Sequence, residues 1–381
     1  LRVAAELLTV RGIERRPASA DYSWNRHGLA DGVDIVSLAG TGLGLRDSLD
    51  QQLVGVLAEC PLDAVVLPGW VDEFALTGLR WCLEHRKPAI LMSESQAIDE
   101  RRSAWKEFVK RQVVGCFAAA LVGGVTHAEY VAQLGMPSER IFQGYDAVDN
   151  EYFRKSTETL KEEARKQYRL PEKFLLASAR FIEKKNLPRL LEAYARYRQM
   201  AEARRQRPDV DPWSLVLLGD GPLRPQLEGL IADLRLQSSV LLPGFKQYPD
   251  LPTYYGCASA FIHASTTEQW GLVVNEAMAS GLPVLVSNRC GCAPDLVQEG
   301  VNGFTFDPYN VDEIANAMLR VWQLEGGELD RIGGESKRII ASWGTERFAS
   351  GLKQAVGKAL EVGAVRPTIM QRIILKLLLR R

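Results

Sequence analysis

Short continuous runs of apolar residues alternate along the chain with longer segments whose apolar positions recur every three or four residues. Runs at 35–38, 64–67, 89–92 and 118–122 read as strands. The segments 49–59, 74–84 and 103–116 read as helices, with a further helix beginning at His127 and a short strand at 141–142. Strands this short and this uniformly apolar belong in a parallel sheet covered on both faces by helices. The rhythm restarts at 174–178 and continues through strands at 214–218, 240–242, 260–263, 283–287 and 301–306. Helices follow Asn186 and span 251–257, 272–280, 312–322 and 345–360. Residues 1–12 carry a helical pattern where an α/β domain normally opens with a strand and a phosphate-binding turn, so the first domain is expected to lack its opening strand.

Between the two rhythms, residues 151–172 are polar and charged, which marks a boundary. The expected organisation is a first α/β domain over 1–150, a linker over 151–172, a second α/β domain over 173–345, a closing helix over 346–361 and a tail over 362–381. In the tail Arg372, Lys376 and Arg380 share one helical side while isoleucines and leucines cover the rest. That pattern fits a helix lying on a membrane surface and fits equally a helix docked on the first domain.

Composition narrows the class. Lys plus Arg and Asp plus Glu are both 47, so no global field favours nucleic acid as a partner. Six cysteines without a CxxC pair, and four histidines without ligand spacing, favour neither a disulfide framework nor a metal site; a reducing, cytoplasmic setting follows.

The candidate chemistry sits where strands end, the edge at which such sheets bind ligands. Arg180 and Lys185 follow the strand at 174–178, and Gly219 and Gly221 flank Asp220 after 214–218. After 260–263 come Glu268, the glycine turn at Gly271 and Leu272, and Glu276 in the helix beyond. Two cations facing two carboxylates across a crevice suit a nucleoside diphosphate carrying a polyhydroxylated group, the cations meeting phosphate and the carboxylates accepting from hydroxyls. In the first half Trp70 either stacks on a sugar or packs against a helix, and His127 is either an acceptor-side base or a helix cap.

The motifs SARFIEKKN (178–186), LLGDGP (217–222), LPGF (242–245) and EQWGLVVNEAMASGLPVLVS (268–287) make the second half similar to the retaining family 4 glycosyltransferases, also called glycosyltransferase group 1. The resemblance implies the GT-B fold, two facing Rossmann-like domains, and a sugar nucleotide donor, most often a UDP-sugar, with no cofactor or metal. It assigns Arg180 and Lys185 to the diphosphate, Glu268 to the donor sugar and Glu276 to the ribose. Gly271 and Leu272 become amide donors, and Gly244 and Phe245 line the base. The implied activity is sugar transfer with retention; the expected acceptor is a glycan, lipid-linked or small molecule in cell-surface or membrane-linked glycan synthesis, with the basic tail holding the chain near the inner membrane face. A scaffold that binds nucleotide sugars without catalysis, and a sugar-nucleotide hydrolase or epimerase of the same architecture, remain the alternatives.

Overall fold

The computed structural model describes residues 4, 7–15, 34–38, 45–154, 158–204, 211–325 and 327–380. These divide into two compact units, residues 1–147 with 345–381 and residues 148–344.

In unit 1 Ala4 is helical, its carbonyl accepting from the Leu8 amide at 3.0 Å, as the pattern over residues 1–12 leads one to expect, and a strand follows. Arg11–Arg15 is a strand, β1, paired in parallel with β2 (Asp34–Leu38). Ile13 and Val36 stand opposite each other and both pack on the unit's core, so a period of two takes over from residue 11, at the end of the helical pattern read over residues 1–12. After helix α1 (Leu45–Glu59), strand β3 (Val65–Pro68), helix α2 (Glu73–Glu84), strand β4 (Ala89–Ser93), helix α3 (Ala104–Val114), strand β5 (Ala119–Val122), helix α4 (Val125–Gln133) and strand β6 (Ile141–Gln143) complete the first pass. The strands β3-β4-β5-β6 form a parallel sheet in chain order.

Unit 2 begins earlier than the change in composition indicates. The expected linker is helical: α5 (Asn150–Arg154) and α6 (Glu158–Tyr168) place Phe153, Ala164 and, just beyond, Leu170 in the core of unit 2. A few apolar residues at helical spacing anchor this otherwise charged segment. Strand β7 (Phe174–Ser178), helix α7 (Leu187–Ala203), strand β8 (Ser214–Leu218), helix α8 (Arg224–Asp233), strand β9 (Val240–Gly244) and helix α9 (Leu251–Cys257) follow. Then come strand β10 (Ala260–His263), helix α10 (Leu272–Ala279), strand β11 (Val284–Ser287), helix α11 (Ala293–Leu296), strand β12 (Gly303–Phe306), helix α12 (Val311–Trp322) and helix α13 (Glu328–Ile340).

The sheet of unit 2 is wholly parallel in the order β12-β11-β10-β7-β8-β9. Alternate residues face opposite layers. Leu175, Ala177, Leu215, Leu217 and Ile262 pack in the layer that holds α7 and α12. Phe174, Leu176, Val216, Leu218 and Phe261 pack in the layer that holds α9 and α10. The order of connection reverses between β7 and β10, and a doubly wound sheet opens a ligand crevice at the carboxyl ends of such a pair. Trp343 packs on Trp270 in the core of unit 2, ring centres 5.2 Å apart.

The chain then returns to unit 1. Helix α14 (Thr345–Val362) and helix α15 (Ile369–Leu378) both belong there, so neither is an appendage of the second domain. Gly351 brings α14 against the end of β6 closely enough that a Cβ would stand 2.5 Å from the Gln143 carbonyl oxygen. Gly351→Ala is therefore expected to destabilise unit 1 by about 1–3 kcal/mol through overpacking, read as a lower urea midpoint at unchanged m-value.

Candidate functional site

Two loops meet at the reversal of unit 2. The loop after β7 lies against the turn after β8: the Phe181 amide donates to the Asp220 carbonyl (2.8 Å), and the Leu223 amide donates to the Phe181 carbonyl (3.0 Å). Gly219 and Gly221 permit this approach. Both have positive φ, and a Cβ on Gly219 would overlap the Ala179 carbonyl oxygen. The glycines flanking Asp220 thus shape the loop that carries the exposed Arg180.

The same loop is stitched to the one after β10. The Thr266 amide donates to the Lys184 carbonyl (2.9 Å). Asn186, buried and left-handed at φ 59°, donates its side-chain amide to the carbonyls of Ala264 (3.0 Å) and Pro308 (2.8 Å). Lys185 is held between these ties, and its ammonium forms an ion pair with Oε2 of Glu268, both side chains 13% exposed. The cation and the carboxylate expected to face each other across a crevice are thus in direct contact.

Two more donors converge on that oxygen. His263 Nε2 lies 3.1 Å from Glu268 Oε2, and the Ser265 hydroxyl lies 3.3 Å from it and 3.1 Å from His263 Nε2. Burial alone would raise the Glu268 carboxyl, but the hydrogen bond from His263, with the charge and hydrogen bond of Lys185, outweighs it and holds the group well below the usual carboxylate range. Burial, helped by Lys185, pushes His263 below its ordinary value. The imidazole is neutral at pH 7, and because an ionised carboxylate only accepts, Nε2 carries the proton.

Glu276 has the opposite setting. It lies on α10 and accepts from the Tyr255 hydroxyl of α9 at 2.6 Å. Burial raises its carboxyl to about 7, and the Tyr255 hydrogen bond offsets this only in part. Gly271, at φ 107°, caps the start of α10, where a Cβ would lie 3.4 Å from the Glu268 side chain. Leu272 follows it, exposed. The first amides of α10 have no acceptor within their helix. Gly244 ends β9, accepting from the Gly219 amide at 3.1 Å, and Phe245 beside it is partly exposed.

In unit 1, Trp70 and His127 are both buried. Trp70 packs edge-on to Tyr130, ring centres 6.1 Å apart, and His127 Nδ1 accepts from the Gly124 amide at the start of α4 (3.2 Å). The packing and capping alternatives describe where these side chains lie. At strand ends of the same unit, burial and then the neighbouring Glu94 carboxylate push Asp146 up to about 8. Sequence reasoning passed over His263, Ser265, Tyr255 and Asn186. The signal available for His263 was a histidine closing an apolar strand two residues before Ser265 and five before Glu268.

Residues 160–338 match the family model of glycosyl transferases group 1. The chain is similar in fold to Anabaena Alr3699/HepE in complex with UDP-glucose (TM-score 0.68, 21% identity, 87% of this chain and 86% of that one). It is likewise similar to sucrose-phosphate synthase from Thermosynechococcus elongatus (TM-score 0.70, 19% identity, 93% and 90%). The fold is GT-B. Among curated relatives, alpha-D-kanosaminyltransferase of Streptomyces kanamyceticus is 27% identical over 187 residues, 49% of this chain and 46% of that protein. The GDP-mannose-dependent alpha-(1-6)-phosphatidylinositol monomannoside mannosyltransferase of Mycobacterium tuberculosis is 28% identical over 215 residues, 54% and 53%. The chain spans about half the length of these two relatives. Within the GT-B frame the paired Lys185 and Glu268 sit in the unit that carries the family match.

Two measurements probe this electrostatic arrangement. His263→Phe keeps a ring but removes the donor to Glu268, and is expected to cost about 1.5–3 kcal/mol at pH 7. Because the Glu268 carboxyl is depressed in the fold, that stabilisation is present above its unfolded value and lost in acid, so the difference from wild type should shrink as pH falls. Glu276 titrates in the other sense. Its folded value of about 7 exceeds the unfolded 4.5, so unfolding releases a proton and stability falls as pH rises between those values. In urea unfolding Glu276→Gln should escape this loss and gain on the order of 3 kcal/mol on wild type between pH 4 and pH 8.

Proposed function

We propose that the chain is a glycosyltransferase that moves a sugar from a nucleoside diphosphate to an acceptor hydroxyl with retention of anomeric configuration. The observation that carries this reading is the Lys185–Glu268 pair at the reversal point of the unit 2 sheet. The group 1 match over the same unit and the GT-B fold support it.

The donor's diphosphate offers Lys185 a second anion, and Arg180 stands on the same loop. Once Lys185 turns to phosphate, it stabilises the negative charge that grows on the departing diphosphate. Glu268, still held by His263 and Ser265, accepts a hydrogen bond from a hydroxyl of the donor sugar. Glu276 accepts from the ribose hydroxyls, with Tyr255 fixing its orientation. The amides of Gly271 and Leu272 meet the sugar and phosphate, and Gly244 and Phe245 border the base. The bond from the anomeric carbon to the diphosphate oxygen breaks, and a bond to the acceptor oxygen forms on the same face. The acceptor's proton passes to the leaving phosphate oxygen, so the step balances without a base from the protein.

A UDP-sugar is the proposed donor, in keeping with the UDP-glucose named for the similar Anabaena structure. The proposed acceptor is a glycan or a lipid-linked or small hydroxyl compound at the cytoplasmic face of a membrane, with the chain in peripheral contact through 362–381. Among the described residues no helix is long and apolar enough to cross a membrane.

Incubation with a panel of nucleotide sugars, with and without membrane extract, tests the reading: diphosphate release should require acceptor. Release that ignores acceptor would assign a hydrolase, and binding without turnover would assign a scaffold. Glu268→Gln should lower transfer at least about a hundredfold with an unchanged circular dichroism spectrum. Wild-type transfer by that variant would remove Glu268 from the site.

A further inference from the structure

Helix α15 is held to unit 1 along one side only. Ile374 and Leu375 are buried in the core that includes residues of α2 and α3, and Leu378 and Leu379 are partly covered by it. A capping box at Thr368 and Gln371 closes its first turn. On the outward arc Ile369, Ile373 and Leu377 follow one another at successive turns with Met370 beside them, Ile369 80% and Leu377 57% exposed. Arg372, Lys376 and Arg380 form an adjoining stripe, all exposed, with no carboxylate partner among the described residues. From 363 to 381 the sequence holds five bases and no acid.

We propose that this face docks unit 1 on an anionic lipid bilayer, with α15 lying in the plane of the interface. Apolar side chains next to an unpaired cationic stripe match the acyl boundary and the phosphate headgroups of such a surface. Trp105 on α3, 68% exposed and stacked on Phe108 at 5.7 Å, adds a side chain of the type enriched at membrane interfaces to a helix that α15 packs against. Ile374 and Leu375 fasten the helix to the core, so unit 1 is seated as a body rather than tethered by a loose tail. This deepens the membrane-linked reading above and relies on it only for the purpose of the docking.

The test is cosedimentation of the full chain, without sugar donor, with vesicles of phosphatidylcholine alone or of equal parts phosphatidylcholine and phosphatidylglycerol. Binding is expected to the anionic vesicles only and to weaken with salt. The variant I369S/I373S/L377S and, separately, R372Q/K376Q/R380Q should each lose about a hundredfold in partitioning. Both should keep the wild-type urea midpoint and UDP affinity, since the positions are exposed. Absence of binding, equal binding to neutral vesicles, or wild-type binding by both variants would overturn the proposal. So would a lipid-free dimer in light scattering that I369S/I373S/L377S dissolves, because it would assign the face to a second copy. A protein that binds vesicles yet transfers no sugar would leave the docking standing and overturn the transferase reading, and an active protein that ignores vesicles would do the reverse.

Discussion

The ion pair between Lys185 and Glu268 is the interaction on which the site depends. Removing two charges from water is expensive, and a pair so enclosed is poor value as a stabilising device; an apolar pair of similar volume is often as stable. What makes it tolerable is the surrounding donor set. His263 and Ser265 reach the same carboxylate oxygen, so Glu268 keeps compensation if Lys185 turns away. The site can therefore exchange the partner of its cation without stranding a buried carboxylate, which is the property the proposed role of Lys185 at a diphosphate needs.

The two glutamates of the motif occupy contrasting electrostatic settings although they stand in one loop and the helix that follows. Glu268 is compensated by cationic and neutral donors and stays ionised, whereas Glu276 meets one tyrosine hydroxyl in a buried position and sits near its half-protonated point at neutral pH. Without ligand the first is a preorganised acceptor. The second is costly to ionise until further donors arrive, so in the donor site proposed above its protonation would be coupled to occupancy by the nucleoside.

Unit 1 is organised by a return of the chain. Helix α14 closes against β5 and β6, and α15 then covers the side of α2 and α3. The bases and exposed apolar residues of α15 thus belong to the unit that does not carry the group 1 match. The reading of the tail as docked on the first domain describes the inner arc of this helix, and the proposed surface contact uses its outer arc. A helix apolar over more than half its circumference can serve both.

Periodicity and motif spacing alone determined the parallel α/β architecture, most element positions and the placement of Lys185, Glu268, Gly271 and Glu276 beyond strand ends, because strand periodicity and glycine turns are local properties. The first strand at Arg11–Arg15, the helices within 150–168 and the return at Thr345 required tertiary structure. In each case a few apolar residues find a remote core, and such burial is invisible in a local window. The same limit applies to chemistry. Sequence places a histidine at the end of β10 and a tyrosine on α9, but only the packed sheet brings His263 onto Glu268 and Tyr255 onto Glu276. Protonation state depends on burial and on neighbours distant in the chain, and for that reason the tertiary structure alone decided which glutamate is the harder to ionise.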